Sequence, residues 1–257
     1  MSSSNSKLLT LSKKFFFLKK IYLFYNVYIR NYKFYFSGRS QLGEEKKLLT
    51  YFKKNYKGRY VDIGCFHPTR HNNTFDFYKK GWRGINIDLN PMTIDLFNFA
   101  RPKDINLCAA ISNSIKIKKL FFLGDLSSQN TLEKNHTKWL MSHFSYNKKE
   151  ISIKKIKTQK IGDILEKYRF YNIDFMNIDV EGHEIKILKT LNLKKFKVKY
   201  FCIEIITYDN FSRENKKQII SFFKKNKYYL KYTSKVNYIF KKKKYKMERI
   251  KSVNIQI

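Results

Sequence analysis

The stretch NIDVEGHE, residues 177–184, places Asp179, Glu181, His183 and Glu184 within six positions, directly after the apolar run at 173–176. Only 20 of the 257 residues are Asp or Glu, so acids are concentrated here against the trend of the chain. An apolar run of this kind reads as a buried strand. Residues i and i+2 of a strand share a side, so Asp179 and Glu181 project together from its carboxyl end. Gly182 permits a turn, and His183 and Glu184 then open a helix. Such a group supports two chemistries. Asp179, Glu181 and His183 are candidates for a general base that takes a proton from a hydroxyl. Alternatively, Asp179 and Glu181, joined by Glu204 from the end of the next apolar run, can hold a divalent cation that acidifies that hydroxyl. The residues alone leave both open. Glu181 and Glu184 also suit the start of a helix, where carboxylates offset its dipole.

Two further stretches end in chemistry-bearing residues. VDIGCFHP (61–68) runs from apolar residues into Asp62, Gly64 and Cys65, and GINIDLNP (84–91) ends in Asp88 before a proline. A glycine directly after a strand lets the backbone turn sharply and approach a ligand. A carboxylate at the end of the following strand can accept hydrogen bonds from both hydroxyls of a ribose. The turn has one glycine where a dinucleotide fingerprint needs three, and the chain contains no GxxxxGK[ST]. A cofactor with an adenosine but no pyrophosphate fits this pair of turns, and S-adenosylmethionine is such a molecule.

These residues need a frame. The sequence predicts strands at 60–63, 84–88, 105–112, 173–180 and 198–205, separated by helices at 73–80, after Pro91, at 161–169 and at 183–191. A helix at 213–226 and two closing strands within 228–242 complete the series, and a helix at 44–54 precedes it. The stretch 115–157 is irregular, with β character at each end and a helix near 132–144. Alternating strands and helices imply right-handed crossovers and a mostly parallel sheet. The expected architecture is therefore α/β, with seven strands, the last one inserted antiparallel, and helices on both faces. Ligands in such sheets bind beyond the carboxyl ends of the strands, where Asp62, Asp88, Cys108, Ala109, Asp179 and Glu204 fall.

In order along the chain, SQLGEE (40–45), YVDIGCFHPTRHNNT (60–74), GWRGINIDLNP (81–91), RPKDINLCAAIS (101–112), LSSQNTL (126–132), IGDIL (161–165), DFMNIDVEGHEIKIL (174–188) and FCIEI (201–205) resemble the FkbM family of S-adenosylmethionine-dependent methyltransferases. The resemblance spans roughly 37–240. It implies a class I methyltransferase (Rossmann-like) fold and methyl transfer to oxygen, on a sugar, glycan or related small acceptor. It also implies that Asp62 and Gly64 line the methionine and ribose side of the cofactor, with Cys65 beside them among the cofactor-binding residues, that Asp88 holds the ribose, and that Cys108 and Ala109 sit near the adenine. Asp88-Leu89 stands where the family usually has Glu-Pro, and Asn177 where it commonly has Lys. The place of DVEG is occupied in base-amine methyltransferases by an Asn/Asp-Pro-Pro-aromatic loop, which argues against adenine or cytosine as acceptor.

Composition adds partners to weigh. The net charge is +34, from 54 Lys and Arg against 20 Asp and Glu, which suggests nucleic acid or an anionic membrane. The basic residues are overwhelmingly Lys, the weaker residue for bidentate phosphate and base contacts. They are spread almost evenly apart from KKKKYK (241–246), and they accompany abundant Asn, Ile, Phe and Tyr as AT-rich codons would produce. An RNA-binding or RNA-modifying protein is thus the alternative class, and nucleic acid is not the expected partner. Cys65, Cys108 and Cys202 have no metal-like spacing and read as reduced, mostly buried thiols of a cytoplasmic protein. Residues 1–12 are Ser-rich and read as unstructured. The basic aromatic segment at 15–36 has Lys19, Lys20, Arg30 and Lys33 spaced through it, too closely to span a bilayer of about 30 Å. It reads first as a helix docked on the domain, the alternative being a helix lying on an anionic membrane at the inner face, near lipid-linked glycans. The chain therefore divides into an extension at 1–36 and a catalytic domain at 37–257.

Overall fold

The computed structural model describes residues 9, 15–37, 40, 43–143 and 150–243. The Ser-rich residues before Leu9 and the lysines beyond 243 lie outside that set.

The core is a seven-stranded sheet. In chain order its strands are β1 (Arg59–Ile63), β2 (Arg83–Asp88), β3 (Ile105–Cys108), β7 (Asn172–Ile178), β8 (Lys197–Glu204), β9 (Tyr228–Thr233) and β10 (Asn237–Lys242), arranged β3-β2-β1-β7-β8-β10-β9. Pairing is parallel from β3 to β8, and β10 enters antiparallel between β8 and β9. The expected seven-stranded α/β architecture with an antiparallel last strand is the one observed. β1 and β7 lie at the centre and are buried along nearly their whole length because both faces are covered. The strand order reverses between them, since β1 leads to β2 on one side while β7 leads to β8 on the other.

Two helices begin on signals visible in the sequence. In α5 (Pro91–Ala100), Pro91 occupies the first turn and the Asn90 side chain accepts the Met92 N–H at 3.1 Å. In α9 (Asn210–Lys225), Asp209 and Ser212 form a reciprocal capping box. Between them lie α6 (Lys134–His143), α7 (Ile161–Lys167) and α8 (Glu184–Leu188); α3 (Glu44–Leu49) and α4 (Phe75–Lys79) come earlier.

A second, three-stranded sheet, in the order β4-β6-β5, is made of β4 (Ala110–Ile111), β5 (Ile117–Phe122) and β6 (Ser152–Gln159). It corrects one expectation, because the single strand at 105–112 is two. Cys108 pairs with Asp88 in the main sheet, and Ala110 pairs with Thr158 in the small one. The chain changes sheets at Ala109.

The N-terminal segment forms α1 (Phe16–Phe24), a π-helical stretch (Tyr25–Arg30) and α2 (Tyr32–Ser37). It docks on the domain. Tyr22, Leu23 and Val27 pack with Met92 and Leu96 of α5, and Lys19 pairs with Asp95 at 2.6 Å. Among the described residues no helix is long and apolar enough to cross a membrane.

Candidate functional site

A cavity of 280 Å³ opens at the carboxyl ends of the strands around the β1/β7 reversal. β1 contributes Asp62 and the turn Gly64–Phe66, β2 contributes Asp88, and Ala109 stands at the switch between sheets. β7 contributes Asn177, Asp179 and Glu181, with His183 just before α8, and β8 contributes Glu204.

The turn after β1 exists because residue 64 is glycine. Gly64 has φ +80°, and a Cβ there would lie 1.6 Å from the Asp179 carbonyl oxygen. Its N–H and that of Cys65 both donate to the Ile87 carbonyl. The three strand ends are thus drawn together by one residue with no side chain. The next donor, the Phe66 N–H, binds Asp88 Oδ2 at 3.1 Å, while Asn90 N–H binds Oδ1 at 2.8 Å. Each oxygen keeps a lone pair for an external donor. Burial raises the Asp88 carboxyl to about 6.

Asp62 is placed differently. It is buried, and its carboxylate accepts from Asn177 Nδ2 at 2.9 Å, Thr74 Oγ1 at 2.9 Å and Asn72 Nδ2 at 3.2 Å. Burial raises its pKa in spite of these donors. Asp62 therefore organises the loop at 66–74 and the neighbouring strand. Asn177 supplies one of its donors and accepts from Asn73 at 3.1 Å. The loop is pinned from behind by fully buried Arg101, which donates to the Pro68 carbonyl, Asn72 Oδ1 and Thr74 Oγ1.

At the other end of the cavity Asp179, Glu181 and Glu204 converge. One carboxylate oxygen from each lies within 4.8 Å of the others. Burial, followed by the neighbouring Glu181 charge, drives the Asp179 pKa far above the ordinary range; burial and then Asp179 do the same to Glu204. Two carboxyls this close and this buried cannot both ionise freely, so the pair favours one shared proton. Glu181 accepts from Gln129 Nε2 at 2.8 Å and faces His136 Nε2 at 3.0 Å.

His183 lies between two buried partners. Its Nδ1 meets Glu133 Oε1, and its Nε2 meets Ser112 Oγ at 2.9 Å. Burial lowers its pKa despite the Glu133 carboxylate. A neutral ring with Nδ1–H facing Glu133 leaves Nε2 to accept from Ser112. Glu133 also binds Lys186; burial pushes its carboxyl up, but these two donors more than offset that and leave it low. Glu184 does not face this cavity. Its Oε1 accepts the Val180 and Gly182 N–H groups at 3.1 and 3.0 Å, so it ties the turn as a helix-start acid does.

Three residues at the cavity, Phe66, His71 and Glu181, have φ near +50° without being glycine, a conformation costing about 1 kcal/mol or more each. The cavity's charge opposes that of the chain. Five carboxylates line it, Asp62, Asp88, Asp179, Glu181 and Glu204, and among the described residues no Lys or Arg does. Half-exposed Trp139 of α6 also lines it and stacks on Tyr208, with centroids 4.9 Å apart and planes 20° apart.

Of the residues singled out from sequence, Asp62, Gly64, Cys65, Asp88, Ala109, Asp179, Glu181 and His183 all line the cavity. Cys108 does not; it is exposed, with its thiol directed to the Leu89 carbonyl. Cys65 and Cys202 are buried, and burial pushes both thiols up. Sequence reasoning passed over Asn72, Asn73, Gln129, His136 and Trp139. The fragments HNNT and LSSQNTL carried the first three, but without the fold nothing aimed them at the acids.

A family model described as the Methyltransferase FkbM domain matches residues 56–230. No curated protein matches the chain.

Proposed function

The chain belongs to the FkbM methyltransferase family, and from that premise we propose that it transfers a methyl group from S-adenosylmethionine to a hydroxyl of a sugar, glycan or related small acceptor. The carrying observation is the electrostatic contrast: a cavity lined by five acidic side chains and, among the described residues, by no Lys or Arg, in a protein of net charge +34. Such a cavity repels phosphates and attracts a cation. S-adenosylmethionine supplies an electrophilic methyl on a sulfonium and carries no phosphate. Asp88, with lone pairs left on both oxygens, would hold the ribose hydroxyls, and the Gly64 turn would face the rest of the cofactor.

The acceptor hydroxyl must lose its proton. The Asp179–Glu204 pair is suited to take it, since a carboxylate with a raised pKa is a better base than an ordinary one. His183, held neutral between Glu133 and Ser112, is the next group able to relay it. Trp139, which lines the cavity and is held by stacking on Tyr208, would supply an aromatic surface against which the ring of a sugar can pack. A divalent ion at Asp179, Glu181 and Glu204 is the second reading, supported by their oxygens lying within 4.8 Å. It would have to displace the proton shared by Asp179 and Glu204.

Calorimetric titration with S-adenosylhomocysteine tests the donor half. One-to-one binding in the micromolar range is expected. Asp88→Asn, which keeps the shape but loses acceptors, should weaken it by at least about tenfold. Unchanged affinity in that variant would remove the ribose assignment. Labelled methyl transfer to oligosaccharides, with and without a chelator, tests the acceptor half and separates the base from the metal reading.

A further inference from the structure

The N-terminal segment has two faces, and only one is accounted for by the domain. Tyr22, Leu23, Asn26, Val27 and Asn31 are buried. Asn26 Oδ1 meets His67 Nε2 at 2.9 Å, and Asn31 Nδ2 lies 3.4 Å from the same nitrogen. His67 sits in the loop that follows the Gly64 turn, so this face is fastened to the edge of the cavity. Phe34 packs against His71, a cavity residue, with centroids 5.0 Å apart.

The other face is apolar and exposed. Phe17, Ile21, Phe24, Ile29, Tyr32 and Phe36 are between 44% and 78% accessible. Their spacing is three or four residues, as on one side of an α-helix, with one exception. The step from Phe24 to Ile29 is five, and it falls across the π-helical stretch Tyr25–Arg30, where bonds run i to i+5 and a turn takes more residues. The wider turn keeps the exposed stripe in step. A run of large apolar side chains this exposed is uncommon on a protein surface without a partner.

Charge identifies the partner. The first 43 residues contain eight Lys and Arg and no acid, Glu44 being the first. Lys20 and Lys33, both exposed, lie within the helical segment itself. Lys19 fastens the segment to the domain through Asp95. Aromatic and aliphatic side chains interleaved with lysines, on a helix too short and too charged to cross a bilayer, match a surface that lies in the headgroup region of an anionic membrane. We propose that the exposed face of residues 17–36 binds anionic lipid bilayers and holds the catalytic cavity at the membrane surface.

Vesicle sedimentation tests this with the full chain. Vesicles of equal parts phosphatidylglycerol and phosphatidylcholine are compared with phosphatidylcholine alone, at low salt and at about 0.5 M salt, where screening within a few ångströms removes most purely electrostatic binding. The parent should pellet with the anionic vesicles under both conditions. A Phe17→Ser, Ile21→Ser, Phe24→Ser variant should partition at least about tenfold more weakly, with an unchanged melting temperature and unchanged S-adenosylhomocysteine affinity. Equal binding by variant and parent would overturn the proposal, because the general positive charge would then suffice. So would a dimer in size-exclusion with light scattering that the variant dissociates, since a second copy would then be the occupant of the face. The cofactor titration is a separate readout, so failure here leaves the methyltransferase reading untouched.

Discussion

Glu204 shows how a single side chain can be placed for chemistry at the expense of the fold. It is buried, it faces Asp179, and Glu181 stands beside both. Burial raises its pKa well above the ordinary 4.5, so the folded protein holds a proton there that the unfolded chain would release. A group with a raised folded pKa contributes its stability fully below its unfolded pKa and loses it as pH rises through the folded value. Glu204→Gln stays neutral at every pH and keeps an N–H to donate to Asp179. The variant should therefore melt together with the parent near pH 4.5 and melt higher at about pH 8, the gain growing as pH rises. Melting curves across that window check it. A variant that tracks the parent throughout would mean that Asp179 and Glu204 do not share a proton. Methyl transfer should fall by about a hundredfold or more if the pair is the base.

At the scale of elements, the site depends on how closely β1 and β7 end together. Gly64→Ala drives a Cβ into the Asp179 carbonyl, 1.6 Å away, at a backbone angle that alanine adopts poorly. Backbone sits on both sides of the clash, so no side chain can swing aside. We expect a loss of about 3 kcal/mol or more, read as a large drop in denaturant midpoint, with cofactor binding lost in whatever remains folded. A melt close to that of the parent would show that the strand ends are looser than they are drawn. This junction was legible beforehand, since an apolar run, a glycine and strand-end acids declare themselves locally. Other junctions were not. The run INLCAAIS stays apolar through Ala109, so nothing local marks the point where the chain leaves β2 for β6. The His183 setting depends on Glu133 and Ser112, fifty and seventy-one residues away, and such pairings appear only once the small sheet and α6 are in place. The π-helical turn at Tyr25–Arg30 is likewise invisible to a 3.6-residue pattern, although its exposed stripe explains itself afterwards. The position of the Cys108 thiol, outside the cavity and directed to the Leu89 carbonyl, was also not legible, because the expected strand ran on through 105–112 and hid the end of β3 at Cys108.

Over the whole molecule, two electrostatic signs are separated in space. The +34 charge gives a surface that will attract any polyanion at low ionic strength, and this attraction weakens steeply as salt displaces it. The cavity carries the opposite sign, with five acids and no Lys or Arg among the described residues. Surface association and cofactor binding should therefore be independent. Homopolymeric RNA should bind at low salt and release as salt rises, while the affinity for S-adenosylhomocysteine, titrated with RNA present in excess, should stay within about twofold of its value without RNA. ATP, which shares the adenosine but adds three phosphates, should compete with it poorly, because each phosphate would enter a field set by Glu181 and by the charge that remains on the Asp179–Glu204 pair. Strong competition by ATP, or loss of cofactor binding in the presence of RNA, would place phosphate inside the cavity. The positive charge would then belong to the chemistry. Independence would instead make it a property of the outer surface, available for anionic lipid along the N-terminal face and without a role where the methyl group moves.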